Sequence, residues 1–230
     1  MEFLIDGIRE AIAILLSFDR NFLDIISVSL KASLLSIILA SAAGVPLGIF
    51  LALKKFPGRG IMVTVVNSLM SVPTVVIGLL VYSFLSRRGM LGDLGLLYTI
   101  TAMVIGQSLL AFPIVTGLTV SAVRSLDKRV FPTIVSLGAN TGQGLFMVVK
   151  EARYAITAAV AAGFARVFAE IGISMMLGGN IKGYTRNITT AIALETAKGE
   201  FAAALALGIV LVLIAFAVHL TVNRFQRMAV

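Results

Sequence analysis

Five long apolar stretches, separated by shorter polar segments, dominate the pattern of the chain. They cover about residues 25–53, 61–86, 96–123, 155–176 and 202–223. A helix needs roughly 20 apolar residues to cross the ~30 Å hydrocarbon core of a bilayer, and every stretch reaches that length. The pattern therefore predicts an all-α membrane protein with five transmembrane helices within residues 21–230.

The first 20 residues have a different, amphipathic pattern. Apolar residues recur at helical spacing at Leu4, Ile8, Ala11, Ile12 and Leu15. The charged residues Asp6, Arg9 and Glu10 lie opposite them, which predicts a helix over residues 1–20 that lies in the membrane interface. The early acidic residues also argue against a cleaved signal peptide.

Prolines interrupt the first three apolar stretches, at Pro46, Pro73 and Pro113. Each proline removes a backbone hydrogen bond, so we expect a bend at each position, resatisfied by neighbouring helices or water. Bent spans commonly surround a solute path, although proline is also tolerated in purely structural spans.

Composition agrees with the membrane assignment, since 59% of the residues are hydrophobic, 13% are charged and the mean hydropathy is +1.03. The chain has no cysteine and one histidine, His219, so the sequence offers neither a disulfide framework nor a Cys or His metal cluster. We expect His219 to lie near the end of a span.

The charges are distributed unequally between the two predicted sides of the membrane. One side, which holds residues 54–60, the long segment 124–153 and the C-terminus, carries ten Lys or Arg residues and two acidic residues. The other side carries eight of each. Positive residues favour the cytoplasmic side, so we expect a multi-pass protein of the cell membrane with its N-terminus outside and its C-terminus in the cytoplasm. No nucleic-acid motif accompanies the pI of about 10.2, so we expect lipid and no nucleic acid as its partner.

A polar, glycine-rich segment lies between the fourth and fifth stretches, at residues 177–200. It concentrates hydrogen-bond donors in the side chains of Asn180, Thr185, Arg186, Asn187, Thr189 and Thr190. Asn187 fits the N-cap of a following helix, and we expect that helix to aim its first backbone amides outward, where an anion is favoured. The sequence thus predicts an extracytoplasmic oxyanion-handling loop, and an ordinary surface loop is the alternative.

Polar residues within the spans are the other candidates for a solute path. Arg166 and Glu170 are four residues apart, so they can pair on one helix face, either in an anion path or in a buried clamp. Ser71 and Thr74 in the second stretch and Gln107 in the third either line the same path or make helix–helix hydrogen bonds.

The segment at about 125–154 is too long for a turn and too apolar for a linker. It predicts two short helices, over 133–137 and 143–152, joined by a hinge, and such a knob suits docking on another protein. Here the chain resembles permease subunits of ATP-binding-cassette importers, whose coupling loop places a Leu-Gly-Ala turn in a groove of the ATPase. The residues that match or flank this loop are Leu137, Gly138, Ala139, Asn140, Val148, Glu151 and Arg153.

The match to that coupling loop is incomplete. The family's Glu-Ala-Ala triplet would fall near Pro132, Thr133 and Ile134, which differ from it. Glu151 stands about where many members have a proline. A loop that packs only on its own domain is the alternative.

Within these importers the chain resembles tungstate-transporter permeases from about Phe22 to the last span. The similar stretches are SVPTVVIGLLVY, GQSLLAFPIV, EARYAITAAVAAGFARVFAEIG and, most specifically, GGNIKGYTRNITTAIALETAKG. The resemblance implies a homodimer, two cytoplasmic ABC ATPase subunits and an extracytoplasmic oxyanion-binding protein. It also implies alternating access of the two protomers between outward-open and inward-open arrangements.

The chain itself shows no ATPase motif, because GANTGQG lacks the lysine and the spacing of a phosphate-binding loop. We therefore expect no enzyme activity and no cofactor in this chain, with ATP and magnesium bound by the partner ATPase.

Two other transport classes remain open. An ion-coupled secondary anion transporter would use Glu170 as a carrier, but internal repeats, which are usual in that class, are not detectable. A passive anion channel would lack an obvious filter. Nor does the sequence separate tungstate from molybdate, sulfate or phosphate.

Overall fold

The computed structural model describes residues 19–126 and 140–227, the segment 11–13, and positions 7, 9, 136 and 138. The regular structure of these residues is helical, which confirms the all-α fold. The helices are α1 (Arg20–Leu53), α2 (Arg59–Leu69), α3 (Thr74–Leu85), α4 (Ile100–Arg124), α5 (Thr141–Phe168), α6 (Gly172–Gly178), α7 (Ile188–Lys198) and α8 (Phe201–Arg227), with a short 3₁₀ turn at Gly92–Leu94.

Helices α1 and α4 form the centre of the fold and run side by side in the same direction. Small residues let their backbones approach closely, because a Cβ added at Gly48 would lie 2.8 Å from the carbonyl oxygen of Thr116. Nearer the other end, the Ser36 hydroxyl lies 3.1 Å from Gln107 Oε1. Since the two helices are parallel, the chain must cross back between them.

That return crossing is made by α2 and α3, which meet at an angle of 96°. Arg59 begins α2 beside the end of α1, where its guanidinium donates to the carbonyls of Leu51 at 2.7 Å and Ala52 at 2.6 Å. Pro73 explains the break, because it has no N–H and also disfavours the helical conformation of the residue before it. The predicted bend in this span is thus a full break, whereas Pro46 and Pro113 lie inside unbroken helices.

The fourth crossing is also broken, between α5 and α6, which meet at 60°. The pair runs antiparallel to α4, from Val148 beside Val123 to Gly178 beside Met103. The sequence predicted a separate cytoplasmic helix at 143–152 and a span at 155–176. The structure has one continuous helix, Thr141–Phe168, so the predicted end of the first helix and the predicted start of the span are both wrong. No glycine or proline separates Ala152 from Ala155, so α5 continues unbroken from the cytoplasmic segment into the membrane.

The last crossing is α8, which packs on α7 and α5. Among the described residues, three helices, α1, α4 and α8, are long and apolar enough to span a membrane alone, and the number of candidate crossings rises to five if each broken pair forms one span. Of the N-terminal segment, Gly7, Arg9 and residues 11–13 are helical. A Cβ at Gly7 would lie 3.0 Å from the ring of Phe201, so this segment packs near the start of α8.

A candidate anion path at two broken spans

The breaks in the second and fourth crossings lie next to each other. A Cβ added at Gly172 would lie 3.3 Å from Glu170 Oε1 and 3.4 Å from Thr74 Oγ1, so the starts of α3 and α6 are in contact. Residues 70–74 and 169–172, which we call the break junction, are level with the middle of α4. Two contacts with α4 show this position along the helix: Met70 lies beside Gly117, and Gln107 donates a hydrogen bond to Ser174.

Arg166 and Glu170 form an ion pair at this junction, as the sequence predicted. Arg166 Nη1 lies 2.7 Å from Glu170 Oε2. The other carboxylate oxygen, Oε1, accepts the backbone N–H of Ile173 at 3.2 Å and so satisfies one amide freed by the break. Glu170 therefore has two roles. It pairs with the Arg166 cation, and it accepts a backbone N–H at the start of α6.

The two partners differ sharply in exposure, because the Glu170 side chain is 3% exposed and that of Arg166 is 43% exposed. A guanidinium has five N–H donors. Within the described part of the chain, Nη1 is the one nitrogen of Arg166 that has a hydrogen-bond acceptor. An exposed, incompletely bonded cation at the depth of the hydrocarbon core is costly against lipid, so it faces either water or another protein.

Ser71 and Thr74, the other candidates in the second crossing, lie in or beside the same junction. Ser71 is exposed within the break, and Thr74 is half-buried at the first position of α3. The structure thus places Thr74 and Glu170 at the contact between the two breaks, pairs Arg166 with Glu170, and puts Ser71 in the same break as Thr74.

Gln107 belongs to a buried hydrogen-bond network instead. It receives the Ser36 hydroxyl at 3.1 Å and donates to the Ser174 hydroxyl at 3.1 Å. The Glu170 carbonyl accepts the hydroxyls of Ser174 at 3.2 Å and Thr189 at 2.9 Å. The network joins α1, α4, α6 and α7 behind the junction. Its two serines, Ser36 and Ser174, were not among the residues predicted from the sequence, where the signal was a polar residue inside an apolar span.

In the polar segment at 177–200, the first turn of α7 is buried inside the protein. Asn187 is its N-cap, as predicted, with Oδ1 accepting the Thr190 N–H at 2.9 Å and the Thr190 hydroxyl receiving the Asn187 N–H at 3.1 Å. The Ile188 N–H donates to the Ser29 hydroxyl at 2.7 Å. Ile188 and Thr190 are fully buried, and Thr189 is 6% exposed. The expectation that α7 aims its first amides outward is therefore wrong, because Ser29 of α1 and the cap itself use the amides of Ile188 and Thr190.

The loop before α7 is also held by its own side chains. The buried Thr185 hydroxyl donates to the carbonyl of Gly178 and accepts the N–H of Ile181. Arg186 Nε donates to Asn180 Oδ1 at 3.2 Å, and Asn180 has a left-handed backbone with φ +52°. Arg186 thus stabilises an unusual turn.

The predicted coupling residues are distributed over the N-terminal half of α5 and the segment before it. Leu137 and Ala139 lie outside the described residues. Gly138 has a left-handed φ of +78°, and Asn140 caps α5 through reciprocal 2.9 Å hydrogen bonds with Gln143. These features support a tight turn followed directly by a helix.

Further along α5, Val148 is 2% exposed and packs on α4, so its side chain is not available to a docking protein. Glu151 and Arg153 are exposed, and the Arg153 guanidinium lies 4.4 Å from the ring centre of Tyr154. Exposed apolar side chains in the first turns of α5, which the sequence analysis missed, are Leu145, Phe146 and Met147, at 46%, 69% and 47% exposure.

Cavities and metal ligands do not point to a different site. A cavity of about 610 Å³ lies between α3 and α6, lined by Leu79, Tyr82, Tyr98, Met175, Met176, Gly179 and Ile181. Arg166 does not line it. Among the residues that the structure describes, no three His, Asp or Glu side chains are grouped to hold a metal ion.

Comparisons with known proteins agree on one class of protein. The model of the family described as binding-protein-dependent transport system inner membrane component matches residues 44–228. The tungstate uptake system permease protein TupB of Peptoclostridium acidaminophilum is 40% identical over 98% of this chain and 99% of that protein. TupB of Campylobacter jejuni is 39% identical over 99% of this chain and 95% of that protein.

The fold is also found in a solved structure. A bacterial ABC transporter involved in the import of the acidic polysaccharide alginate aligns with a TM-score of 0.74, covering 94% of this chain and 82% of that one. At 19% identity, this likeness concerns the fold alone.

Proposed function

The chain belongs to the family of binding-protein-dependent transport system inner membrane components, and on that premise we propose that it is the permease subunit of an ATP-driven tungstate importer. The observation that carries the proposal is the nearly full-length similarity to two tungstate uptake permeases. Molybdate and sulfate are the alternative cargoes, because selection among such dianions would rest chiefly with a separate binding protein.

The anion would pass the break junction. Arg166 supplies a positive charge with spare donors, and Ser71 and Thr74 add hydroxyls at the same depth. Glu170 keeps the net charge of the pair near zero, which limits how tightly an anion is held, and a path that binds its cargo too tightly cannot release it. The buried network of Gln107 and Thr189 then serves to hold the junction in shape.

The working assembly would contain two copies of this chain, two cytoplasmic ATPases that bind ATP and magnesium, and an extracytoplasmic oxyanion-binding protein. The turn at Gly138 and the exposed side chains of Leu145, Phe146 and Met147 support an ATPase docking surface. The N-terminus would lie outside and the C-terminus in the cytoplasm, so that the positively charged segments face the ATPases.

Reconstitution tests this proposal. The chain is reconstituted in proteoliposomes with an ABC ATPase and an oxyanion-binding protein from a tungstate uptake system, and radiolabelled tungstate uptake is measured with ATP inside. We expect uptake that needs ATP, the ATPase and the binding protein together. Uptake driven by a proton or sodium gradient without the ATPase would instead make the chain a secondary transporter.

The docking surface has its own test at Gly138. Valine resists the left-handed backbone, whereas asparagine tolerates it. We expect Gly138→Val to lose co-purifying ATPase while Gly138→Asn keeps it, with both proteins inserted in the membrane. Equal ATPase recovery with both variants would remove the turn from the docking surface.

A further inference from the structure

The exposed face of α5 around Arg166 differs from the exposed faces of the outer helices. On α1 and α8 the exposed side chains at mid-depth are large and apolar, namely Leu34, Leu35, Ile38, Leu39, Val212, Leu213 and Phe216. The exposed residues next to Arg166 are Ala162 and Ala165 on α5 and Ala169 directly after it. The exposed faces of α1 and α8 suit lipid tails, whereas the face around Arg166 combines one cation with small side chains.

Small side chains allow a second protein surface to approach a membrane helix closely. The charge of Arg166 excludes a lipid neighbour at this depth. Arg166 does not line the cavities of about 610, 460 and 220 Å³ in the described part of the chain, although its neighbours Ala162 and Ala165 line the smallest of them, beside α8. The missing wall of a path at Arg166 therefore has to come from another molecule.

We propose that the α5 faces of two copies of this chain lie opposite each other and that their two Arg166 side chains bind one dianionic tetrahedral oxyanion between them. This inference rests on the proposed function and specifies the site that handles the anion. One guanidinium carries a single positive charge and so matches only half of a dianion's charge, and the Glu170 carboxylate beside it lowers the net charge of each copy further. Two copies supply two guanidiniums, and the planar fork of each suits two oxygens of a tetrahedral anion.

Glu170 acts as the resident counter-ion of this site. When the anion arrives, the N–H groups of Arg166 that are not bonded to Glu170 donate to the anion oxygens, so the 2.7 Å pair is kept and no buried carboxylate is left unpaired. Glu170 still accepts the Ile173 N–H through its other oxygen. Glu170 is thus a positioning residue that holds Arg166 in place during each passage.

Cross-linking tests the geometry, and the absence of native cysteine makes single-cysteine variants clean. Ala162 lies one turn from Arg166 on the same exposed face, and Leu39 lies at similar depth on the apolar face of α1. With a short bifunctional thiol reagent in membranes, we expect Ala162→Cys to form dimers about tenfold faster than the control Leu39→Cys. Equal or reversed rates would overturn the proposal.

Mixed dimers test the shared ligand. Two differently tagged copies are co-expressed, one carrying Arg166→Ala with Glu170→Gln so that no buried carboxylate stays unpaired, and complexes with both tags are isolated. If one anion needs both arginines, the mixed dimer loses uptake roughly tenfold, nearly as far as the doubly substituted dimer. Retention of about half the uptake would mean independent sites and would overturn the shared site.

The conservative variant separates charge from structure. Arg166→Lys keeps one positive charge but loses the fork, so we expect a higher KM for tungstate with ATP hydrolysis still stimulated. An unchanged KM would contradict the arginine contact. If wild-type proteoliposomes take up no tungstate but another dianion, only the proposed cargo fails. If uptake is normal and the α5 faces do not cross-link, only the shared site fails.

Discussion

The polar segment at 177–200 and the break junction both concentrate polar residues, but they use them differently. In the polar segment, Thr185, Asn187 and Thr190 direct their hydrogen bonds to neighbouring backbone, and all three residues are buried. At the junction, Arg166 is exposed and only one of its nitrogens has an acceptor in the described part of the chain. The comparison supports the proposal that the junction, where donors remain spare, handles the solute, whereas the polar segment is a structural network.

We expect the largest effect on transport from removing the Arg166 cation while keeping the fold. In Arg166→Ala with Glu170→Gln, the glutamine oxygen still accepts the Ile173 N–H, so we expect inserted protein near the wild-type level. Uptake per inserted molecule should fall roughly tenfold or more, because the charge-assisted contact to the anion is lost. Radiolabelled tungstate uptake with quantified membrane protein is the measurement, and full uptake in this variant would remove Arg166 from the path.

The second largest effect should come from the polar segment, but on stability. Thr185→Val leaves the Gly178 carbonyl and the Ile181 N–H without their hydroxyl partner, which should cost about 2 kcal/mol. Thermal unfolding in detergent should show the loss, while uptake per folded molecule stays at the wild-type level.

The matched control is Thr196→Val on the exposed face of α7, which should change stability by less than about 0.5 kcal/mol. If Thr185→Val abolished uptake without lowering stability, the segment would act on the anion directly.

The smallest effect should follow from Arg186→Ala. Arg186 bonds to Asn180 and supports a turn, so we expect uptake to change by no more than about twofold and the change to be insensitive to salt. If Arg186→Ala instead lost most of its uptake, and high salt caused the same loss in the wild-type protein, Arg186 would contact the anion or a binding protein.

Part of this arrangement could be predicted from the sequence because it is local. Apolar length indicates the crossings, the proline at position 73 marks one break, and the spacing of Arg166 and Glu170 predicts their pairing. The N-cap at Asn187 is likewise a signal carried by four consecutive residues.

The rest depends on partners that are distant in the chain. The amide of Ile188 is occupied by Ser29, 159 residues away, so no local pattern reveals that α7 points inward. The break after Phe168 has no proline, and it is stabilised by the hydroxyl of Thr189 on the Glu170 carbonyl. Only the tertiary structure shows which polar residues are already satisfied.

Chemical labelling of the break junction tests directly whether the anion passes there. Ala169→Cys, which is exposed beside Arg166 at mid-depth, is treated with an anionic methanethiosulfonate in the assembled transporter, with Leu39→Cys and Thr196→Cys as controls. We expect Ala169→Cys to react despite its depth and tungstate to slow that reaction, while Leu39→Cys stays unreactive and Thr196→Cys reacts without protection. No reaction at Ala169→Cys, or protection by tungstate only at Thr196→Cys, would contradict the assignment of the anion path to the break junction.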